Sequence, residues 1–99
     1  MGYKMMFEHL NEVPPRLLKE LVAAGSVNSA TVMASVKGLY IVLRVGLNER
    51  VVGAARGGPR IFQSIDGAAS VLWQAGVRKF DVDSSNWEPK TLQKKTAAA

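Results

Sequence analysis

Apolar residues alternate most clearly between positions 39 and 45, in the run LYIVLRV. The odd-numbered positions are all apolar, whereas the even-numbered positions include Tyr40 and Arg44. Since successive side chains of an extended chain point to opposite sides, this pattern predicts a strand with one fully apolar face. The near-continuous apolar character favours a central position in a sheet.

Two other stretches show helical spacing of their apolar residues. Residues 14–24 begin with two prolines and are followed by Gly25, and residues 65–75 lie between Ser64 and Gly76. Proline is favoured in the first turn of a helix, serine at the N-cap and glycine just beyond the C-terminus. Both stretches are therefore predicted to be amphipathic helices.

The remaining pattern completes a single α+β domain over residues 1–83. The expected order is an N-terminal helix, a three- to four-stranded antiparallel meander, a second helix and a final strand. The Met- and Phe-rich residues 1–12 are expected to pack on this domain, and residues 84–99, which lack a core-forming pattern, to be a flexible tail. Further strands are predicted at 27–36, 50–55, 61–62 and 79–83.

The loop after the central strand decides where two arginines lie. A three-residue loop at 47–49 keeps Arg50 and Arg56 off the apolar face. A two- or four-residue loop would move both arginines onto that face, because a shift of one residue turns every side chain over. Burying charge is costly, so the three-residue loop is predicted, with Val51 on the apolar face and Arg56 opposite, beside Arg44.

Composition narrows the class of protein. The 99 residues suit one domain, and 47% hydrophobic residues suffice for one modest core. No apolar run approaches the roughly 18 residues of a membrane helix, and the N-terminus does not resemble a signal peptide, so a cytoplasmic protein without membrane contact is expected. The absence of cysteine excludes disulfides and thiolate metal sites. A net charge of +5 favours an acidic partner, with nucleic acid first and an anionic surface second.

Cations and one tyrosine cluster around the predicted hairpin and the glycine-rich turn that follows it. Arginine can contact phosphate or guanine edges with two hydrogen bonds, and a twisted sheet can enter the major groove of DNA. The alternative is a solvated sheet face that discourages aggregation. The candidate nucleic-acid-binding residues are Lys37, Tyr40, Arg44, Arg50, Arg56 and Arg60.

The sequence contains no grouping of residues that is typical of a catalytic site. Asp81 and Asp83 share one side of a predicted strand and could supply part of a magnesium site, but solvent exposure on an alternating strand is the preferred explanation. His9 has no nucleophile in its sequence context, and no Ser-His-Asp grouping occurs. The chain is therefore expected not to be an enzyme and to use no cofactor or metal.

Two tryptophans flank the predicted last strand and are the candidate partner-binding residues. Large aromatic side chains often anchor protein interfaces, although Trp73 and Trp87 could equally close the core. A protein–protein adaptor would use them together with the N-terminal Met/Phe segment and the helix at 14–24. A homodimer through the helices or an edge strand is a related expectation.

Two resemblances to known proteins follow from residues 38–85. The run from LYIVLRV through RVVGAARGGPR and IF to QSIDGAASVLWQAG looks like the three-stranded sheet and helix of AP2-type and integrase arm-binding DNA domains. That resemblance implies DNA recognition by the sheet. The combination RGGPRIFQSIDGAASVLWQAGVRKFDVDSS and the chain size resemble small partition-associated proteins of the ParC type from broad-host-range bacterial plasmids. This second resemblance implies a role in plasmid stability without a defined chemical activity.

The preferred function is a non-enzymatic accessory protein of plasmid maintenance or gene control that contacts DNA through a basic sheet face. The alternative is a protein–protein adaptor or inhibitor module.

Overall fold

The computed structural model describes residues 11–88. Helices and strands alternate along this range, with three consecutive strands in the middle. The elements are β1 (Asn11–Val13), α1 (Pro15–Ala23), β2 (Val27–Ser35), β3 (Gly38–Val45), β4 (Asn48–Val52), α2 (Ile65–Ala75) and β5 (Asp81–Asp83).

The strands form one mixed sheet in the order β1-β4-β3-β2-β5. The central pairs β4–β3 and β3–β2 are antiparallel, whereas β1 joins β4 and β5 joins β2 in parallel. Four strands thus point one way and β3 points the other. The α+β class is confirmed, but the purely antiparallel meander is wrong, and the first helix follows a strand instead of opening the fold.

The parallel edges arise from the two helices. A strand reached through a helical crossover enters the sheet from the same end as the strand before the helix. The units β1-α1-β2 and β4-α2-β5 each have this form, so each ends in a strand parallel to the one where it began. This mixed five-stranded sheet also differs from the three-stranded sheet of AP2-type and integrase arm-binding domains.

Local signals set the ends of both helices as predicted. Helix α1 begins at Pro15, and Gly25 beyond its end has a φ of 74°. The hydroxyl of Ser64 accepts a hydrogen bond of 3.0 Å from the Gly67 amide at the start of α2, and Gly76 ends that helix with a φ of 103°. These contacts satisfy backbone groups that a helix end leaves unpaired.

The core lies between the helices and one face of the sheet. Leu39, Ile41 and Leu43 of β3 are fully buried on this face, as the alternation predicts. Val51 is also fully buried but does not belong to this cluster. The buried cluster comprises Val13, Leu18, Ala30, Val32, Leu39, Ile41, Leu43, Val52, Phe62, Ala68, Leu72 and Ala75.

The β3–β4 hairpin has a two-residue loop, so the predicted three-residue loop is wrong. Val45 lies opposite Asn48, and Leu43 lies opposite Arg50. This register places Arg50 on the helix-covered side of the sheet, and Val52 takes the core position predicted for Val51. The free-energy cost of burying a charge is avoided because Arg50 is only half-buried. A long side chain can cover apolar surface while its guanidinium reaches water.

The chain leaves β4 in a tight turn before it reaches α2. The Ala54 amide donates to the Gly58 carbonyl, and the Arg60 amide donates to the Val52 carbonyl. The strand predicted at 61–62 is reduced to a single bridge between Phe62 and Leu39. Arg56 lies in an exposed turn, so its predicted position beside Arg44 on one sheet face is wrong.

Candidate functional site

Tyr40 and Arg44 share the sheet face that points away from the buried cluster. Arg44 Nη2 lies 3.4 Å from Glu49 Oε2, and both side chains are about half exposed. Burial raises the pKa of Tyr40, and the nearby carboxylates of Asp83 and Glu49 raise it further. The surroundings of Tyr40 are thus electronegative.

The strand registers show that this face is acidic. Residues directly opposite each other in paired strands point to the same side of a sheet. Besides Arg44, the charged strand residues on this side within residues 11–88 are Glu12, Glu49, Asp81 and Asp83. A surface with one cation and four carboxylates repels phosphate. The expectation of a basic sheet face is therefore wrong.

The other candidate cations are distributed over different parts of the molecule. Arg50 lies on the opposite side of the sheet. Lys37 lies in the β2–β3 turn, while Arg56 and Arg60 lie in or just after the turn that follows β4. Both turns are at the end of the sheet where β3 begins, because Phe62 pairs with Leu39. We call Lys37, Arg56 and Arg60, all of them exposed, the basic edge.

The two tryptophans differ in exposure. Trp87 is half-buried and packs against the core, whereas Trp73 on α2 is 61% exposed. The Arg78 guanidinium lies 3.6 Å from the centre of the Trp73 ring, and Arg78 Nη1 donates a 2.7 Å hydrogen bond to the Trp73 carbonyl. Trp73 is thus the more exposed of the two tryptophans.

Arg78 was not among the residues chosen from the sequence. The left-handed turn at Gly76 ends α2 and directs the chain back, so that Arg78 covers the last turn of the helix. A glycine C-cap followed two residues later by arginine is the signal that could have indicated this contact.

Two grooves border α2. The tryptophan groove, about 280 Å³ in volume, lies beside Trp73 and Arg78 and includes Asp66, Gln74 and Phe80. The lysine groove, about 320 Å³, lies between α1, α2 and Arg60; its lining includes Lys19, Gln74 and the apolar Leu18, Val52 and Val71. The Arg60 guanidinium stands 5.0 Å from the Phe62 ring centre.

The carboxylates of β5 have ordinary structural roles. Asp83 accepts hydrogen bonds from the Ser85 hydroxyl at 2.7 Å and the Ser85 amide at 3.1 Å, and these bonds lower its pKa. Asp81 is exposed. Within residues 11–88, no three His, Cys, Asp or Glu side chains are placed as metal ligands would be.

The size and composition of the helices also bear on the kind of protein. Of the helices between residues 11 and 88, neither is long and apolar enough to cross a membrane. The fold and the grooves on α2 thus define a small α+β domain with an exposed aromatic surface.

Comparison with known families identifies the family of the chain. Residues 13–91, most of the chain, match the family described as ParC-like, and the chain belongs to that family. The resemblance to ParC-type proteins is thereby confirmed. Comparisons with curated proteins and with solved structures found no match.

Proposed function

We propose that this chain is a non-enzymatic accessory protein of plasmid maintenance or gene control that acts by binding another protein through α2. The observation that carries the proposal is Trp73, which is 61% exposed and held in place by Arg78. This favours the adaptor function over contact with DNA through the sheet face, which is acidic.

The chemistry of this pair suits a binding surface. Tryptophan and arginine are the residues most often found at the energetic centres of protein interfaces. The stacking of Arg78 on Trp73 restricts both side chains before any partner arrives, and the 2.7 Å hydrogen bond to the Trp73 carbonyl further restricts Arg78. Less conformational entropy is then lost on binding.

Affinity capture from an extract of the cells in which the protein naturally occurs tests the proposal. The tagged full-length chain is compared with Trp73→Ala and with Leu47→Ala, a control in the β3–β4 loop that removes another exposed apolar side chain. We expect a stoichiometric partner to be retained by the original chain and by Leu47→Ala, and to be lost with Trp73→Ala. Thermal unfolding should be similar for all three chains, because both sites are exposed.

Two results would contradict the proposal. One is that no protein is retained in stoichiometric amount; the other is that Trp73→Ala retains the same partner as fully as Leu47→Ala does. If the partner is a second copy of this chain, light scattering will show a dimer that Trp73→Ala dissociates.

DNA contact by the basic edge is a second candidate function. Lys37, Arg56 and Arg60 are exposed at one end of the sheet, and the turns that carry them contain no carboxylate. Fluorescence anisotropy with a mixed-sequence duplex tests this candidate. Arg56→Glu should weaken binding and reduce the slope of log K against log salt by about 1, whereas Arg44→Glu on the acidic face should have little effect. Equal effects of the two variants would exclude the basic edge.

A further inference from the structure

The tryptophan groove and the lysine groove meet along α2. Gln74 lines both of them, with Trp73 on one side and Lys19 and Arg60 on the other. The eleven residues of α2 span about 16 Å, so a peptide of about 12 residues could follow the helix and contact both grooves.

The charges along the grooves are predominantly positive. Lys19, Arg60 and Arg78 line them together with a single carboxylate, Asp66. None of the three cations forms an ion pair with a carboxylate in the part of the chain that the structure describes. Within residues 11–88, their charges are therefore not neutralised by a carboxylate.

Apolar side chains lie between these cations. Val71 lines the lysine groove together with the buried Leu18 and Val52, and Trp73 and Phe80 line the tryptophan groove. Of these side chains, Val71, Trp73 and Phe80 have surface exposed to solvent. A purely polar anion would leave these surfaces uncovered, whereas a purely apolar segment would leave the cations without partners. A ligand that carries both carboxylates and apolar side chains complements the whole surface.

We infer that the two grooves form one docking site for an acidic amphipathic peptide segment of the protein partner. The inference rests on the proposed function and specifies the chemistry of the partner. Lys19 and Arg60 would bind its carboxylates, and Trp73 and Val71 would cover its apolar side chains. The stacking of Arg60 on Phe62 at 5.0 Å already orients one of the two cations.

A fluorescein-labelled peptide of about 12 residues, with Glu and Leu at helical spacing, serves as the probe. Its binding to the full chain is followed by anisotropy, beside a peptide with Lys in place of Glu and one with Ser in place of Leu. We expect the Glu/Leu peptide to bind at least about tenfold more tightly than either control peptide.

Charge reversal then locates the site. The double variant Lys19→Glu/Arg60→Glu should weaken binding of the Glu/Leu peptide by about tenfold or more. The matched control Arg44→Glu/Arg56→Glu makes the same change in net charge outside both grooves, and its effect should be within about threefold. Circular dichroism checks that both double variants remain folded.

Several outcomes would overturn the inference. These are equal binding of the Glu/Leu and Lys/Leu peptides, equal loss in the two double variants, or a DNA duplex that binds through Lys19 and Arg60 when the peptide does not. If the cellular partner is captured through Trp73 but the Lys19→Glu/Arg60→Glu variant captures it equally well, the proposed function stands and the acidic-segment inference fails.

Discussion

Tyr40 shows how neighbouring side chains decide the role of a residue. In the sequence it stands near four arginines, which made it a candidate for contact with DNA. In the fold, burial and the carboxylates of Asp83 and Glu49 raise the pKa of its hydroxyl. The same carboxylates that resist ionisation of Tyr40 also repel phosphate.

The raised pKa of Tyr40 predicts a loss of stability at alkaline pH. Between the pKa of tyrosine in the unfolded chain, about 10, and its higher value in the folded chain, the folded state binds more protons, so the free energy of unfolding falls as pH rises. Tyr40→Phe should reduce this fall. Urea unfolding at several pH values between about 9 and 11 measures it. A fall as steep in Tyr40→Phe as in the original chain would contradict the prediction.

Gly38 is required by close packing at the start of β3. Its φ is 142°, and a Cβ there would lie 2.7 Å from the Phe62 carbonyl oxygen and 2.8 Å from Ile61 Cγ2. Gly38→Ala should lower the free energy of unfolding by about 2–3 kcal/mol, since it combines backbone strain with a clash. Gly57→Ala is the control, because a Cβ there meets nothing within 4 Å and should cost only about 1 kcal/mol. If urea unfolding shows that both variants lose the same free energy of unfolding, the close contact with Phe62 does not contribute to stability.

At the scale of elements, α2 was the most predictable part of the chain. Its bounds agree with those predicted because its start and end depend on residues within a few positions of each other, Ser64 with Gly67 and Gly76 with Leu72 and Trp73. The hairpin was less predictable. The length of its loop depended on whether Arg50 could reach water from the side of the sheet that carries Leu43. The exposure of Arg50 on that side depends on how the whole sheet packs.

Removing the cap of α2 should destabilise the domain. Ser64→Ala eliminates the 3.0 Å hydrogen bond to the Gly67 amide and should cost about 1 kcal/mol. Ser64→Asp should retain most of the stability, because a carboxylate also accepts this bond and favours the helix N-terminus. Ser70→Ala, in the exposed middle of α2, is the control and should be nearly neutral. If urea unfolding gives the same loss in free energy of unfolding for Ser64→Ala as for Ser70→Ala, the cap does not stabilise the domain.

For the whole molecule, the total charge is a poor guide to the surface. The full chain carries +5, but residues 11–88 hold nine cations and seven carboxylates. Folding segregates them into an acidic sheet face, a basic edge and the two grooves on α2. The order of strands, not the composition, therefore determines which partner each surface can bind.

The edges of the sheet are expected not to mediate assembly. Each edge strand has three residues within 11–88, and β5 carries Asp81 and Asp83, so the β5 edge offers few unpaired backbone groups and is also charged. Val82→Lys, at a side chain that is 41% exposed on β5, should leave the molecular mass in solution unchanged. Light scattering measures this. Dissociation of an oligomer by Val82→Lys, with no effect of Trp73→Ala, would show that copies pair through the β5 edge.

The sequence by itself determined the α+β class, both helices, the buried face of β3 and membership of the ParC-like family. These depend on spacing of two to four residues, on capping contacts and on a continuous motif. The tertiary structure decided the two-residue loop, the parallel pairing of β1 and β5, the acidic character of the face with Tyr40, and the contact of Arg78 with Trp73. Each strand pairing joins distant parts of the chain, and burial of the helices against the sheet selects among alternatives that are locally equivalent.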